Sequence, residues 1–448
     1  MIQIKIISNT KLLLRLGLVT LGLISTCVAH ASAFQIWEQN GAGTGDYHAG
    51  GAAIANDAST VFYNPAGLTR LKHTQVVGGA IAIPTKMDFR GTVDVTGTSS
   101  DTKSGTGSAD GGGFDLSSNV APFGYLAIPI NSQITAGLGV ATPFGLSTDY
   151  PNDSIAAPYA TETSMKNVDF MPSIGIKLND KLSFGLGADI NYLHGEFDND
   201  TEVQFKWPLK TFNGDYRSQN SGQGYGYGLH LGFLFEPTQS TRIGLAYHSQ
   251  VHYNLKGSSK GFKDGDKVIG NHDLKTSVTF PAFTMLSVYH DFTSKWAGMF
   301  SATYTQWDVF RNLELKNVAN PVFPSLSPKF DPINIKQHFR DTYNLALGTQ
   351  YQLNHLWTFK AGMGYDMTPT KNQYRNLRLP DATRVTASLG THLQVNQHLG
   401  FDVGFTRVFF HDTSVNIDDQ SIGTIDVSTH GSIHSSANVI GFQMTWTM

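Results

Sequence analysis

From about residue 74 to its end, this chain alternates apolar and polar residues with a period of two, the pattern of a sheet with one greasy and one wet face. The clearest run sets Leu182, Phe184, Leu186, Ala188, Ile190 and Tyr192 against Ser183, Gly185, Gly187, Asp189 and Asn191. Trp357 to Asp366 and Val385 to Val395 repeat it. About fourteen such runs with no amphipathic helix between them favour closure into a barrel. Tight turns near Asn131-Ser132, Asn179-Asp180, Pro237-Thr238, Asn354-His355 and Asn396-Gln397 alternate with long polar connections at Asp88 to Asn119, Thr201 to Ser221, Lys256 to Leu274 and Val318 to Lys336. Short turns at one end and long loops at the other are the periplasmic and extracellular ends of an outer-membrane barrel.

The first residues agree with export. Lys5, Lys11 and Arg15 precede an apolar core from Leu16 to Ile24 and a small-residue site, Ala31-Ser32-Ala33, so residues 1–33 read as a signal peptide with Phe34 as the mature start. That core is too short for a membrane helix, and no later stretch approaches about 20 apolar residues. A lipoprotein reading at Cys27 competes, but Thr26 is bulkier than the usual residue before the cysteine. Cleavage after Ala33 removes Cys27, the one cysteine, and with it any disulfide or thiolate chemistry. At 15% charged residues and 40% hydrophobic with 46 Gly, the chain suits an apolar outside and a polar lumen. A net charge of −3 gives no basis for binding nucleic acid.

Residues 34–73 stand outside the alternation, and residues 74–448 form the expected barrel. The early segment carries Gly41, Gly43, Gly45, Gly50 and Gly51, then Ala52 to Ala58, then Val61 to Leu68 with Asn64-Pro65-Ala66. An exposed flexible terminus is the plain reading; its apolar content argues instead for burial as a plug, since a lumen this wide cannot be filled by side chains alone. The last strand places Ile440, Phe442, Met444, Trp446 and Met448 on its apolar face and so ends without the usual aromatic residue.

No catalytic motif is present. Gly41-Ala42-Gly43-Thr44-Gly45 lacks the phosphate-loop lysine, and neither a His-Glu-x-x-His nor a Gly-x-Ser-x-Gly pattern occurs. The chain is therefore expected to be no enzyme, with no cofactor and no metal. His248 and His252, four apart on one strand, share a face and read as polar lumen wall in preference to a metal site. Pro143 and Gly145 flank Phe144 in a strand-like run, where a lost donor and a missing side chain weaken pairing. A side window and an ordinary bulge fit equally well. Phe205, Trp207, Leu209 and Phe212, with Val322, Phe323, Leu326 and Phe330, make two long loops apolar enough to capture a hydrophobic ligand or to pack as a lid.

The pieces together resemble the FadL/OmpP1/TodX family of outer-membrane long-chain fatty acid and hydrocarbon transporters. The resemblance rests on Phe34-Gln35, Ala53-Ile54-Ala55-Asn56-Asp57-Ala58, Asn64-Pro65-Ala66, Ser183-Phe184-Gly185-Leu186-Gly187, Thr305-Gln306-Trp307, Phe339-Arg340-Asp341-Thr342-Tyr343, Trp357 to Gly362 and Pro380-Asp381, in that order. It implies an all-β, fourteen-stranded antiparallel transmembrane barrel plugged by an N-terminal hatch that includes Asn64, Pro65 and Ala66. It implies capture at the loops, an internal pocket near Phe34 and Trp307, and sideways exit at a kinked third strand matching Pro143, Phe144 and Gly145. For a carboxylate head group the candidate cations are Lys336 and Arg340, with His194 weaker. The expected partners are a long-chain fatty acid or other hydrophobic molecule and the outer-membrane lipid and lipopolysaccharide around a monomer. Neutral hydrocarbons, a surface adhesin or phage receptor, and a polar porin are the rival readings.

Overall fold

A computed structural model describes residues 33–96, 103–110, 120–207, 210–319, 333–422 and 425–448. Fourteen antiparallel strands close into one barrel, the last, Ile425–Thr447, pairing back onto the first at Gln75–Ala82. Several wall strands are interrupted once. The third runs Ile134–Ala141 then Gly145–Asp149, the seventh Thr241–His248 then Val251–Lys263, and the eighth Lys267–Phe280 then Phe283–Asp291. The fourth is Glu162–Lys177, and the fifth and sixth, Leu182–Trp207 and Lys210–Thr238, form one long hairpin.

Three of the tight turns share a device. Asn131 Oδ1 accepts from Gln133 N and Ile134 N, Asn354 Oδ1 from Leu356 N and Trp357 N, and Asn396 Oδ1 from His398 N and Leu399 N. Each asparagine carboxamide thus stands in for a backbone acceptor and closes its turn locally. Along the strands Leu186, Ile190, Met363, Leu389 and Phe442 face outward and are exposed, whereas Ser183, Asp189, Asn191 and Ser388 are buried on the lumen side, as the alternation predicts.

The lumen is filled by residues 33–73. Four short helices, Gly43–Asp46, Gly51–Ile54, Thr60–Tyr63 and Pro65–Arg70, pack against the inner wall. Asn64 caps the last of them by accepting from Ala66 N, and Pro65 follows at the first helical position, where no N–H is needed. Its carboxamide also donates to Ala52 O (2.6 Å) and, across to the wall, to Phe233 O (2.9 Å). The wall makes room through glycines: a Cβ at Gly185 would overlap Pro65 and Ala66, at Gly232 Asn64, at Gly244 Ala52, and at Gly364 Tyr47.

Two expectations need correction. Much of Asp88 to Asn119, Thr201 to Ser221 and Lys256 to Leu274 is paired strand and not loop, because the wall strands continue as long hairpins that satisfy their own backbone. One of these closes at Asp264 and Gly265, both in the left-handed region. In addition, His248 and His252 do not share a face: His248 is buried and His252 exposed. Register explains it, since His248 pairs with His230 and Lys256 with Gln223, so eight steps on one strand oppose seven on the other. The bulge at 249–250 flips the phase, and Pro281 marks a similar flip in the eighth strand. Above that level the inward residues are Val251, Tyr253, Leu255, Val278 and Phe280, so the lumen turns from polar to apolar.

Candidate functional site

The third strand is broken at residues 142–144. On one flank Ala141 opposes Asp169 and Gly145 opposes Lys166, so three residues face two and the strand bulges. On the other flank its pairing with Val120–Pro129 ends at Val140, and beyond that only Asp149 meets a described wall residue, Asp110. The N-terminal segment occupies this break. Ile36 N donates to Pro143 O (2.9 Å), Gly145 N donates to Phe34 O (2.8 Å), and Gln35 bridges Phe144. Gln39 adds two side-chain bonds, donating to Thr142 O (2.8 Å) and accepting from Thr142 N (3.0 Å). The start of the hatch therefore serves as a short surrogate strand at the break that Pro143 and Gly145 create.

The bulge turns Phe144 inward. Its ring lies 4.7 Å from Phe280 and 6.0 Å from Phe34, and Phe34 also meets Trp307 edge-on at 4.7 Å and Phe310 at 5.2 Å. Phe339 backs Trp307 and Phe310. Leu193, Phe197, Leu255, Ile333 and Ile335 continue this apolar volume away from the hatch. Trp307 Nε1 is buried inside it without a hydrogen-bond partner among the described residues, a donor free for a ligand oxygen. Phe34, Trp307 and Phe144, which lie far apart in sequence, meet in one cluster.

The cations expected from sequence lie elsewhere. Ile333 and Ile335 point inward, so Lys336 on the same short strand is exposed. Arg340 is also exposed and donates from Nε to Thr368 O (3.2 Å). His194 sits between inward-facing Leu193 and Gly195, on the opposite face, 3.2 Å from Glu196. Leu209, Val322, Phe323, Leu326 and Phe330 fall outside the described residues, and for Phe205, Trp207 and Phe212 the backbone alone is described.

Sequence reasoning missed an inward-folded connection between the eleventh strand, Trp357–Asp366, and the twelfth, Arg384–Gln394. Residues 375–382 are buried, and the segment is fastened to the broken third strand by Thr148 Oγ1, which donates to Arg378 O, and to the turn beyond by Tyr150 OH, which donates to Leu377 O. Arg378 itself donates to Tyr159 O (2.7 Å), Asp198 O (3.0 Å) and Thr163 Oγ1 (3.0 Å), and no carboxylate pairs with it among the described residues. Burial lowers its pKa below the usual arginine value. Together with Tyr159, Asn199 and Asn220 it forms the polar side of a small cavity of about 20 Å³ whose apolar side is Phe197, Leu315, Ile333 and Ile335. Tyr159 OH is buried there with no hydrogen-bond partner among the described residues. The arrangement offers a greasy volume with a cationic, hydrogen-bonding end. The signal in sequence was slight, two leucines flanking Arg378 in an otherwise polar stretch.

Comparison with known proteins places this geometry. The model of a family described as outer membrane protein transport protein (OMPP1/FadL/TodX) matches residues 22–448. A long-chain fatty acid transport protein of Escherichia coli O6:H1 is 27% identical over 419 residues, covering 86% of this chain and 88% of that one. A crystal structure of a Pseudomonas aeruginosa FadL homologue aligns with a TM-score of 0.80 at 23% identity, over 92% of this chain and 99% of the other. The Ralstonia pickettii toluene transporter TbuX aligns at 0.65 and 17%, over 92% and 100%. At these identities the two structures bear on the fold alone.

Proposed function

The chain belongs to the OMPP1/FadL/TodX family of outer membrane transport proteins, and from that premise we propose that it takes up long-chain fatty acids by passive, hatch-gated diffusion with lateral release at Pro143–Gly145. The observation that carries this reading is the position of the apolar cluster: it ends on Phe34 and Phe144, at the place where the wall is closed by the hatch's own first residues. A fatty acid tail exposed to water costs about 0.8 kcal/mol per methylene. A route that runs from an apolar interior into the bilayer through a side opening avoids that cost, whereas an axial aqueous pore incurs it. The tail replaces aromatic side chains that now fill the volume. Arg378 receives the carboxylate in this scheme, and Lys336 and Arg340, exposed nearer the loops, meet it first.

Neutral hydrocarbons are the second reading, favoured by the uncharged surroundings of Phe34 and Trp307. Binding to purified protein separates them. Arg378→Met should weaken fatty acid binding by about tenfold or more while leaving toluene binding within twofold, the loss of one charge-assisted contact. Equal loss of both ligands points to a packing defect, and unchanged fatty acid binding removes Arg378 as the head-group partner. Acyl chains extracted from the protein purified in a short-chain detergent identify the ligand class directly.

A further inference from the structure

A second cluster lies on the lumen wall, outside the apolar compartment. Asp189, His230 and His248 stand on the fifth, sixth and seventh strands, all buried, and one donor atom from each lies within 4.8 Å of the others'. Asp189 Oδ1 is 2.6 Å from His230 Nδ1, and His230 Nε2 is 2.9 Å from Ser173 Oγ. His248 Nε2 is 2.9 Å from the carbonyl of Phe62, in the hatch helix Thr60–Tyr63. The two imidazoles are nearly parallel, 16° apart, with centroids at 5.1 Å.

Hydrogen-bond chemistry fixes one tautomer. A carbonyl only accepts, so His248 carries its proton on Nε2, and the Nδ1 of the neutral ring is a bare lone pair with no hydrogen-bond partner among the described residues. His230 spans Ser173 at Nε2 and Asp189 at Nδ1, so its near nitrogen donates to the carboxylate and releases that proton to solvent when a cation takes its place. An imidazole whose far nitrogen is tied to a carbonyl or hydroxyl, leaving the near one for a ligand, is how metal-binding histidines are oriented. Charge points the same way. Asp189 and the neighbouring Asp169, which accepts from Asn191 Nδ2 (3.1 Å), are both buried; among the described residues the His230 imidazole is the one basic group paired with Asp189, and neither carboxylate is paired with a lysine or arginine. Buried carboxylates require a compensating positive charge or a proton.

We propose that Asp189, His230 and His248 form a binding site for a divalent transition ion of the zinc class, riveting three wall strands to the hatch through His248 and Phe62. Two imidazoles and one carboxylate suit zinc, while calcium and magnesium take oxygen donors. Tetrahedral zinc bonds of roughly 2.0–2.2 Å set donor atoms roughly 3.3–3.6 Å apart, so Asp189 Oδ1 and His230 Nδ1, now 2.6 Å apart, separate slightly as the ion enters between them. The fourth position is left to water.

The test uses the full folded chain in detergent, stripped with chelator and titrated with Co²⁺, whose visible absorption reports tetrahedral coordination. The expected band saturates near one equivalent, disappears in His248→Gln and Asp189→Asn, and needs about tenfold more Co²⁺ in Ser173→Ala, a small change that keeps the fold. Because the chain has 16 histidines, a control replaces the half-buried His430 and the exposed His434, which lie beside Asp418 and Asp412, and should leave the band intact. Zn²⁺ should also raise the unfolding temperature of the wild type but not of His248→Gln. Absence of a saturating band, or a band that survives His248→Gln and Asp189→Asn, or one lost in the surface control, overturns the site.

Discussion

Phe34 touches four aromatic rings from three separate parts of the chain: Phe144 of the third strand, Phe280 of the eighth, and Trp307 and Phe310 between the ninth and tenth. Truncating a buried phenylalanine costs about 3–5 kcal/mol, and here that cost falls on the closed position of the hatch start. Phe34→Ala should therefore loosen the seal and raise conductance in planar bilayers, with the barrel still folded by its heat-shifted mobility on gels. Glu38 offers a different lever. Desolvation pushes its carboxyl up to about 7, outweighing the favourable Arg384 charge, and its Oε2 has no hydrogen-bond partner among the described residues. A carboxyl whose folded pKa lies above its ordinary 4.5 contributes stability that is present below that value and is lost as pH rises through about 7. Glu38→Gln should accordingly unfold at a higher temperature than the wild type at pH 8 and at the same temperature at pH 4; equal curves at both pH values would show that Glu38 is not buried as described. At this scale the sequence was only partly legible. Phe34 and Trp307 could be singled out, but Arg378 could not, because its burial depends on a loop that folds inward without any periodic pattern.

Among elements, the broken third strand and the segment that mends it matter most. Hydrogen bonds flank the Gln35 and Phe144 pair on both sides, at Ile36 to Pro143 and Gly145 to Phe34, so the two residues form a non-hydrogen-bonded pair with closely spaced Cα atoms of about 4.5 Å. That spacing accepts a disulfide. The double variant Gln35→Cys, Phe144→Cys should lock the break shut when oxidised and lose fatty acid uptake, with recovery on reduction; uptake that continues through the oxidised form would exclude this exit. Strand existence, the tight asparagine turns and the outward face were readable from period-two alternation, since one face meets lipid along the whole membrane span. Phase reversals were not. Ser249 and Gln250 look like any two polar residues, and a single extra residue there exchanged the fates of His252 and Tyr253. Pro281 was the one visible hint of the matching reversal next door.

For the whole molecule, the closed wall and its filling are separable. Residues 33–73 have no strand of the barrel among them, and their helices are each one or two turns long, too short to persist in water without the wall. Deleting Phe34 to Asn40 should leave a folded barrel with increased conductance and reduced discrimination between ligands, whereas an adhesin acting through its loops would be untouched. Gly244→Val should do the same from the opposite side, because its side chain would occupy the place of Ala52; a sealed, fully active variant would mean that the hatch shifts to accommodate it. The glycines at 185, 232, 244 and 364 are, in effect, a mould, and the hatch is its casting. Chimeras follow a simple rule from this. A hatch exchanged with that of a relative only about a quarter identical should seat only when the recipient's bare wall positions move with it, so the heritable unit of specificity spans two stretches of chain far apart in sequence.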